Sequence, residues 1–219
     1  AGLVAACAPS APANEPVPEN EAIVASEDPM SIRPFQIAVP DEVLTDLQAR
    51  LSGTRFPDQL EGVGWDYGTD LAYLRELVDY WQTGFDWRDQ ERRLNAFDHF
   101  KTTIDGLDIH FIHQRSANPD ALPLLVTHGW PGSIFEFTKI IGPLTDPEAH
   151  GGQASDAFHI VAPSLPGYGF SDAPREPGYG PERMATINAQ LMARLGYDRY
   201  GVQGGDWGSG DQQCGPYRQ

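Results

Sequence analysis

The sequence predicts an α/β fold: a sheet that opens with a hairpin and continues in buried parallel strands, preceded by a small helical domain and a disordered N-terminal arm. Three observations predict it. From residue 40 to residue 98, apolar residues recur at helical spacing. At Phe100 the period shortens to two. Beyond that point short continuous apolar runs alternate with helix-length segments, the pattern of strands covered on both faces.

Residues 1–31 read as an arm outside the fold. The small apolar stretch Ala1–Cys7 gives way to a Pro-, Ala- and Glu-rich run that buries too little surface to order itself. The Leu3-Val4-Ala5-Ala6-Cys7 segment is similar to the end of a bacterial lipoprotein signal, with Cys7 as the lipidation candidate and the arm as its tether. That reading implies a leader upstream and a periplasmic or membrane-tethered protein; without it the expectation is a cytoplasmic one.

Residues 32–98 are read as helical. Asp41 is the expected N-cap of a first helix, with Val43, Leu44, Leu47 and Leu51 on one face and Gly53 closing it. A second helix spans Asp70 to Trp81, with Leu71, Leu74, Leu77, Val78 and Trp81 as its apolar stripe, and a third runs from Asp86 to Ala96. The loop between the first two carries Trp65 and Tyr67, whose large rings are expected to pack over the domain behind it.

Residues 99–209 carry the sheet. Phe100 to Ile104 and Leu107 to His113 flank Asp105-Gly106, a strong hairpin signal. Leu122–Thr127, Phe158–Ala162 and Tyr200–Gln203 read as buried strands, with helices at Ser133–Ile141 and Pro181–Leu195. Pro181 in the first turn and Gly196 just past the end mark the second of these clearly.

With 31 acidic and 15 basic residues, the net charge of -16 argues against nucleic acid and anionic membrane surfaces as partners. Cys7 and Cys214 form neither a disulfide framework nor a metal-binding spacing. The composition is silent on oligomeric state.

Three loops follow the three buried strands. Gly204-Gly205-Asp206-Trp207-Gly208-Ser209 has glycines two residues to either side of Asp206, the spacing of a nucleophile elbow with Asp at its centre. Such a turn leaves no room for side chains at the flanking positions, and it presents its central residue beyond the sheet. It also aims the N–H of Trp207 at a bound substrate. His128-Gly129-Trp130-Pro131-Gly132-Ser133 is the second loop. Gly129 permits close backbone approach, Trp130 can present its N–H, Pro131 stiffens the turn and Ser133 can cap the next helix. His128 reads as a turn histidine bonded to the backbone rather than as a general base, because in this chain order the base follows the nucleophile. The third loop, Pro163 to Ser171, is rich in Pro and Gly.

Together these three loops resemble the epoxide hydrolases of the α/β-hydrolase superfamily. Ile32-Arg33-Pro34-Phe35, Thr54-Arg55-Phe56-Pro57, Gly64-Trp65-Asp66-Tyr67-Gly68 and Phe85-Asp86-Trp87-Arg88 are similar to the N-terminal domain of the microsomal, juvenile-hormone branch. The resemblance runs from about residue 32 to residue 209 and identifies the sheet as the N-terminal half of an α/β-hydrolase core. It implies Asp206 as nucleophile, Trp130 and Trp207 as backbone donors of an oxyanion hole, a small apolar epoxide as substrate, a diol as product, a role in detoxification, and no metal or organic cofactor. The carboxylate is expected to be held ionised in a dry pocket. A haloalkane dehalogenase-like hydrolase is the nearest enzymatic alternative, and a non-catalytic relic or interaction protein the alternative of another class.

The sequence also departs from that pattern. No His follows Asp206, and the only later Tyr is Tyr217. The resemblance places the general base, its carboxylate partner and two lid tyrosines after the nucleophile. Residues 210–219 lack the apolar stripe of the helix expected there and read as an aberrant tail, with a frameshift as one explanation and a genuine short C-terminus as the other. The chain is therefore expected to be inactive in full turnover and poorly soluble, with its sheet edge uncovered.

Overall fold

A computed structural model describes residue 28 and residues 30–210. Cys7, Cys214, most of the arm and the tail from residue 211 lie outside the described residues. The strands are β1 (Arg33–Phe35), β2 (His99–Ile104), β3 (Leu107–Gln114), β4 (Leu122–Thr127), β5 (Phe158–Pro163) and β6 (Gly201–Gly204). The helices are α1 (Asp41–Ser52), α2 (Leu71–Thr83), α3 (Trp87–Leu94), α4 (Thr138–Thr145) and α5 (Pro181–Arg194). Among the described residues the strands form one sheet in the order β1-β2-β3-β5-β4-β6. The β1, β2, β3 and β5 neighbours are antiparallel. β4 pairs in parallel with both β5 and β6.

The alternation of each strand divides the core between the two faces of the sheet. Ile109 and Phe111 of β3, Leu125 of β4 and Val161 of β5 meet Ile187, Leu191 and Met192 of α5. Their chain neighbours Ile112, Val126, Ile160 and Ala162 face Ile37, Leu94, Ile134 and Ile141 on the other side. The buried residues of α5, from Met184 through Ile187 and Asn188 to Leu191 and Met192, follow the three-four spacing of one helix face. Burying each of the large ones contributes about 1.5–3 kcal/mol.

Local signals explain most boundaries. In the β2–β3 hairpin Ile104 pairs with Leu107, and the two turn residues Asp105 and Gly106 both take positive φ, 55° and 75°. That is the twist a two-residue loop requires. Asp70 and Asp86 cap α2 and α3 by accepting from the N–H groups of Tyr73 and Asp89.

Four expectations are corrected. Arg33–Phe35 lies in the stretch read as helical, yet it is extended and pairs with β2; three residues are too few to show a period. Asp41 is not the cap of α1: Pro40 holds the cap position and its carbonyl accepts from Val43 and Leu44. The Asp41 carboxylate instead pairs with Arg88 of α3. Trp65 and Tyr67 are 61% and 82% exposed, and Leu77 and Trp81 of the expected α2 stripe are also exposed. The segment after Ser133 is divided, with a single 3₁₀ turn, Ile134–Phe137, preceding α4.

α3 is latched by polar contacts to the segment that follows β1. The Asn95 side chain exchanges two hydrogen bonds with the backbone of Ile37. Glu91 accepts from the Val39 N–H at 2.7 Å and from Arg88, which together hold its carboxyl below the usual range. Among the described residues no helix is long and apolar enough to cross a membrane.

The sheet also encloses neutral histidines. Burial pushes His110 down from 6.5 to about 3 and His113 to about 4, and lowers His99 and His128 as well. In the unfolded chain these side chains take up protons near 6.5, whereas the folded chain refuses them. Their contribution to stability is therefore complete above the unfolded value and is lost as pH falls below it, at about 1.4 kcal/mol per pH unit for His110 and for His113. Thermal melts at pH 7.5, 6 and 5 should show Tm falling steadily below pH 6.5. A Tm unchanged from pH 7.5 to 5 would contradict this.

Candidate active site

β4 and β6 run in parallel, with Thr127 in register with Gly204. The loops that follow them therefore leave the sheet at the same edge and collide unless their backbones interlock. A Cβ on Gly204 would lie 2.3 Å from the Gly208 carbonyl oxygen, and one on Gly208 would lie 2.2 Å from that of Thr127. No side chain fits at either position. Gly205 is different, since a Cβ there meets nothing within 4 Å. Gly208 is thus dictated by the crossing with the end of β4, Gly204 by its own turn folding back over it, and Gly205 by neither.

Asp206 takes the strain of the turn. Its φ is 53°, a left-handed value that non-glycine residues rarely adopt. The 3₁₀ turn Asp206–Ser209 is closed by the Ser209 hydroxyl donating to the Asp206 carbonyl at 2.6 Å. The Asp206 side chain is laid over Gly129, where an added Cβ would lie 2.5 Å from its Cβ.

The His128–Ser133 loop completes the site through one peptide plane. The Trp130 N–H donates to Asp206 Oδ1 at 2.8 Å. The carbonyl of that same peptide, Gly129 O, is bonded by His128 Nδ1 at 3.1 Å. His128 Nε2 accepts from the Leu165 N–H at 3.1 Å, so Nδ1 must carry the ring proton and donate. Both nitrogens of buried His128 are engaged, as a backbone-bonding turn histidine requires. Pro131 follows Trp130 through a cis peptide bond.

The N–H groups of Trp130 and then Trp207 hold the Asp206 carboxyl below the usual carboxylate range, with partial desolvation opposing them. Asp206 is therefore ionised at neutral pH. It is also exposed, as are the rings of Trp130 and Trp207, so the expected dry pocket is not formed by the described residues. Clefts open on both sides of the carboxylate. One is walled by Trp130, Pro131, Glu136 and Phe137, the other by Pro181, Arg183, Trp207 and Ser209. No His lines either cleft. Among the described residues no cluster of His, Cys, Asp and Glu is arranged to hold a metal ion.

The family model described as "Epoxide hydrolase N terminus" matches residues 32–137, and that described as "alpha/beta hydrolase fold" matches residues 123–210. Juvenile hormone epoxide hydrolase 2 of Ctenocephalides felis is 48% identical over 82% of this chain and 38% of its own length. Epoxide hydrolase 1 of Sus scrofa is 47% identical over 84% of this chain and 41% of its own length. The crystal structure of juvenile hormone epoxide hydrolase from Bombyx mori superposes with a TM-score of 0.73 at 43% identity, over 82% of this chain and 47% of that one. The chain belongs to the epoxide hydrolase family of the α/β-hydrolase superfamily. It spans about two-fifths of the length of the curated relatives it matches.

The first of the two family matches extends past the helices into the sheet, β4 and the Trp130 loop. Its residues are continuous with the site because α3 and β1 are bonded to the strands. Sequence reasoning overlooked Leu165, whose backbone N–H carries no side-chain signal, and Glu136, which lines the cleft beside Asp206. It also overlooked His110 and Ser164, both fully buried. An isolated His inside the apolar strand Leu107–Gln114 was the available signal for the former.

The backbone crossing yields a prediction. Gly208→Ala should cost roughly 2 kcal/mol or more, because the methyl group overlaps backbone that cannot retreat without breaking β4 pairing. Gly205→Ala, with open space around it, should change stability by less than about 0.5 kcal/mol. Urea midpoints of the two variants check this, and equal midpoints would contradict it.

Proposed function

We propose that the chain carries the nucleophilic step of an epoxide hydrolase. The observation that carries this reading is the Trp130 N–H bonded to Asp206 Oδ1 in a turn that holds the Asp at positive φ. An epoxide carbon is electrophilic because its ring is strained. With Oδ1 held by Trp130, the other carboxylate oxygen attacks that carbon, the ring C–O bond breaks, and the released alkoxide takes a proton from water. The product is an alkyl ester of Asp206. Water adding to the ester carbonyl would generate an oxyanion on Oδ1, already placed against the Trp130 N–H, and collapse would release a diol and restore the carboxylate.

The second step needs a base to activate that water. His128, the histidine nearest in sequence to the Trp130 loop, has both nitrogens committed, and no described histidine lines the clefts. The reading is therefore that ester formation outpaces its hydrolysis in this chain and the ester accumulates. Apolar Trp130, Phe137 and Trp207 around the carboxylate favour a small apolar epoxide. No cofactor enters either step.

Incubation with a reactive aryl epoxide, followed by intact mass and peptide mapping, checks the proposal. One adduct per chain on Asp206, absent from Asp206→Ala, is the expected result. A folded chain that stays unmodified, or an adduct on another residue, would overturn it. Multiple turnovers without an accumulated adduct would overturn the assignment of a slow second step.

A further inference from the structure

His99, His110 and Ser164 are all buried and joined in one directional chain of hydrogen bonds. The Leu94 carbonyl at the end of α3 can only accept, so His99 Nε2 carries a proton and donates to it across 2.7 Å. His99 Nδ1 is then an acceptor, and His110 Nε2 donates to it across 2.9 Å. That leaves His110 Nδ1 to accept from the Ser164 hydroxyl, also at 2.9 Å. Every ring nitrogen has one role, and each ring has one neutral tautomer.

Four hydrogen bonds tie His110 to Ser164, two of them direct and two forming a bridge through Ser171. The Ser164 N–H donates to the His110 carbonyl. The His110 N–H donates to the Ser171 hydroxyl, which donates in turn to the Ser164 carbonyl at 2.6 Å. The ring-to-hydroxyl bond is the fourth. Gly169 must be glycine for the loop to close over this knot, since a Cβ there would lie 2.8 Å from Ser164 Oγ, and its φ is 51°. The next residue, Leu165, donates to His128, and His128 bonds the carbonyl of the Gly129–Trp130 peptide. A peptide is planar, so whatever orients that carbonyl orients the N–H on Asp206 as well.

We propose that His110 is a positioning residue of the active site, fixing Ser164 and, through Leu165 and His128, the peptide plane whose N–H holds Asp206. It touches no reacting atom. Its effect on Trp130 is purely geometric; its effect on rate rests on Asp206 being the nucleophile.

The full chain, labelled with ¹⁵N and ¹³C, separates the two. Histidine ¹⁵N spectra should show the Nε2–H tautomer for His99 and His110 and the Nδ1–H tautomer for His128; the opposite tautomer at His110 would overturn the proposal. In His110→Phe, which keeps the ring volume without its nitrogens, the Trp130 amide proton should move upfield. The Asp206 carboxyl should titrate closer to an ordinary carboxylate. Aryl epoxide should then modify Asp206 about 10-fold to 100-fold more slowly. His110→Gln, which keeps a donor and an acceptor, should recover most of each loss. Ser164→Ala removes one oxygen and should act in the same direction, which covers a His110→Phe chain that fails to fold. An unchanged Trp130 amide and Asp206 titration in either folded variant would overturn the proposal. The spectra do not depend on alkylation, so an amide shift in His110→Phe beside a folded wild-type chain that forms no adduct would sink the nucleophile reading and leave the positioning role standing.

Discussion

The site depends on the crossing of two backbones at the end of the sheet. β4 and β6 are parallel neighbours, and the turn after each must pass the other within van der Waals distance. Gly208 lies against the Thr127 and His128 carbonyls, and Gly129 lies against Asp206. Side chains at these glycines would push the loops apart. With glycine there, the chain is forced through a left-handed Asp206 and brings its carboxylate within 2.8 Å of an N–H from a loop 76 residues away. Charge stabilisation at Asp206 is thus a consequence of packing density at that edge.

A second constraint operates beneath it. Buried polar groups must be satisfied, and here the satisfying partners are neutral histidines with a single allowed tautomer each. His99, His110 and His128 link α3, β2, β3 and two loops into a connected polar layer within an otherwise apolar face. Such a layer gives little net stabilisation per bond, about 0.5–1.5 kcal/mol, but a broken link leaves a buried group unpaired at about 1–3 kcal/mol. It therefore selects one loop arrangement among several that apolar packing alone would tolerate.

What was legible in the sequence follows from how local each cause is. The β2–β3 hairpin, α5 and the Asp206 turn are determined within a few residues: Asp105-Gly106, Pro181 with Gly196, and glycines spaced about Asp206. The meeting of Trp130 with Asp206 was legible only because two recognisable loops follow two recognisable strands. The His110–Ser164 knot was not, since it joins residues 54 apart and His110 lies in no motif. β1 was missed because three residues show no period, and Asp41 because its carboxylate is drawn away by Arg88, 47 residues on. The exposure of Trp65, Tyr67 and Asp206 was misjudged because amino-acid type reports a preference for burial, whereas burial itself depends on which surfaces lie opposite.

The most direct measurement is a crystal structure of the chain after reaction with an aryl epoxide. The account predicts an ester between the epoxide carbon and the Asp206 oxygen that Trp130 does not hold, with Oδ1 still within hydrogen-bond distance of the Trp130 N–H and the Gly129 carbonyl still bonded to His128. An ester through the oxygen facing Trp130, or a Trp130 N–H turned away from the adduct, would contradict it.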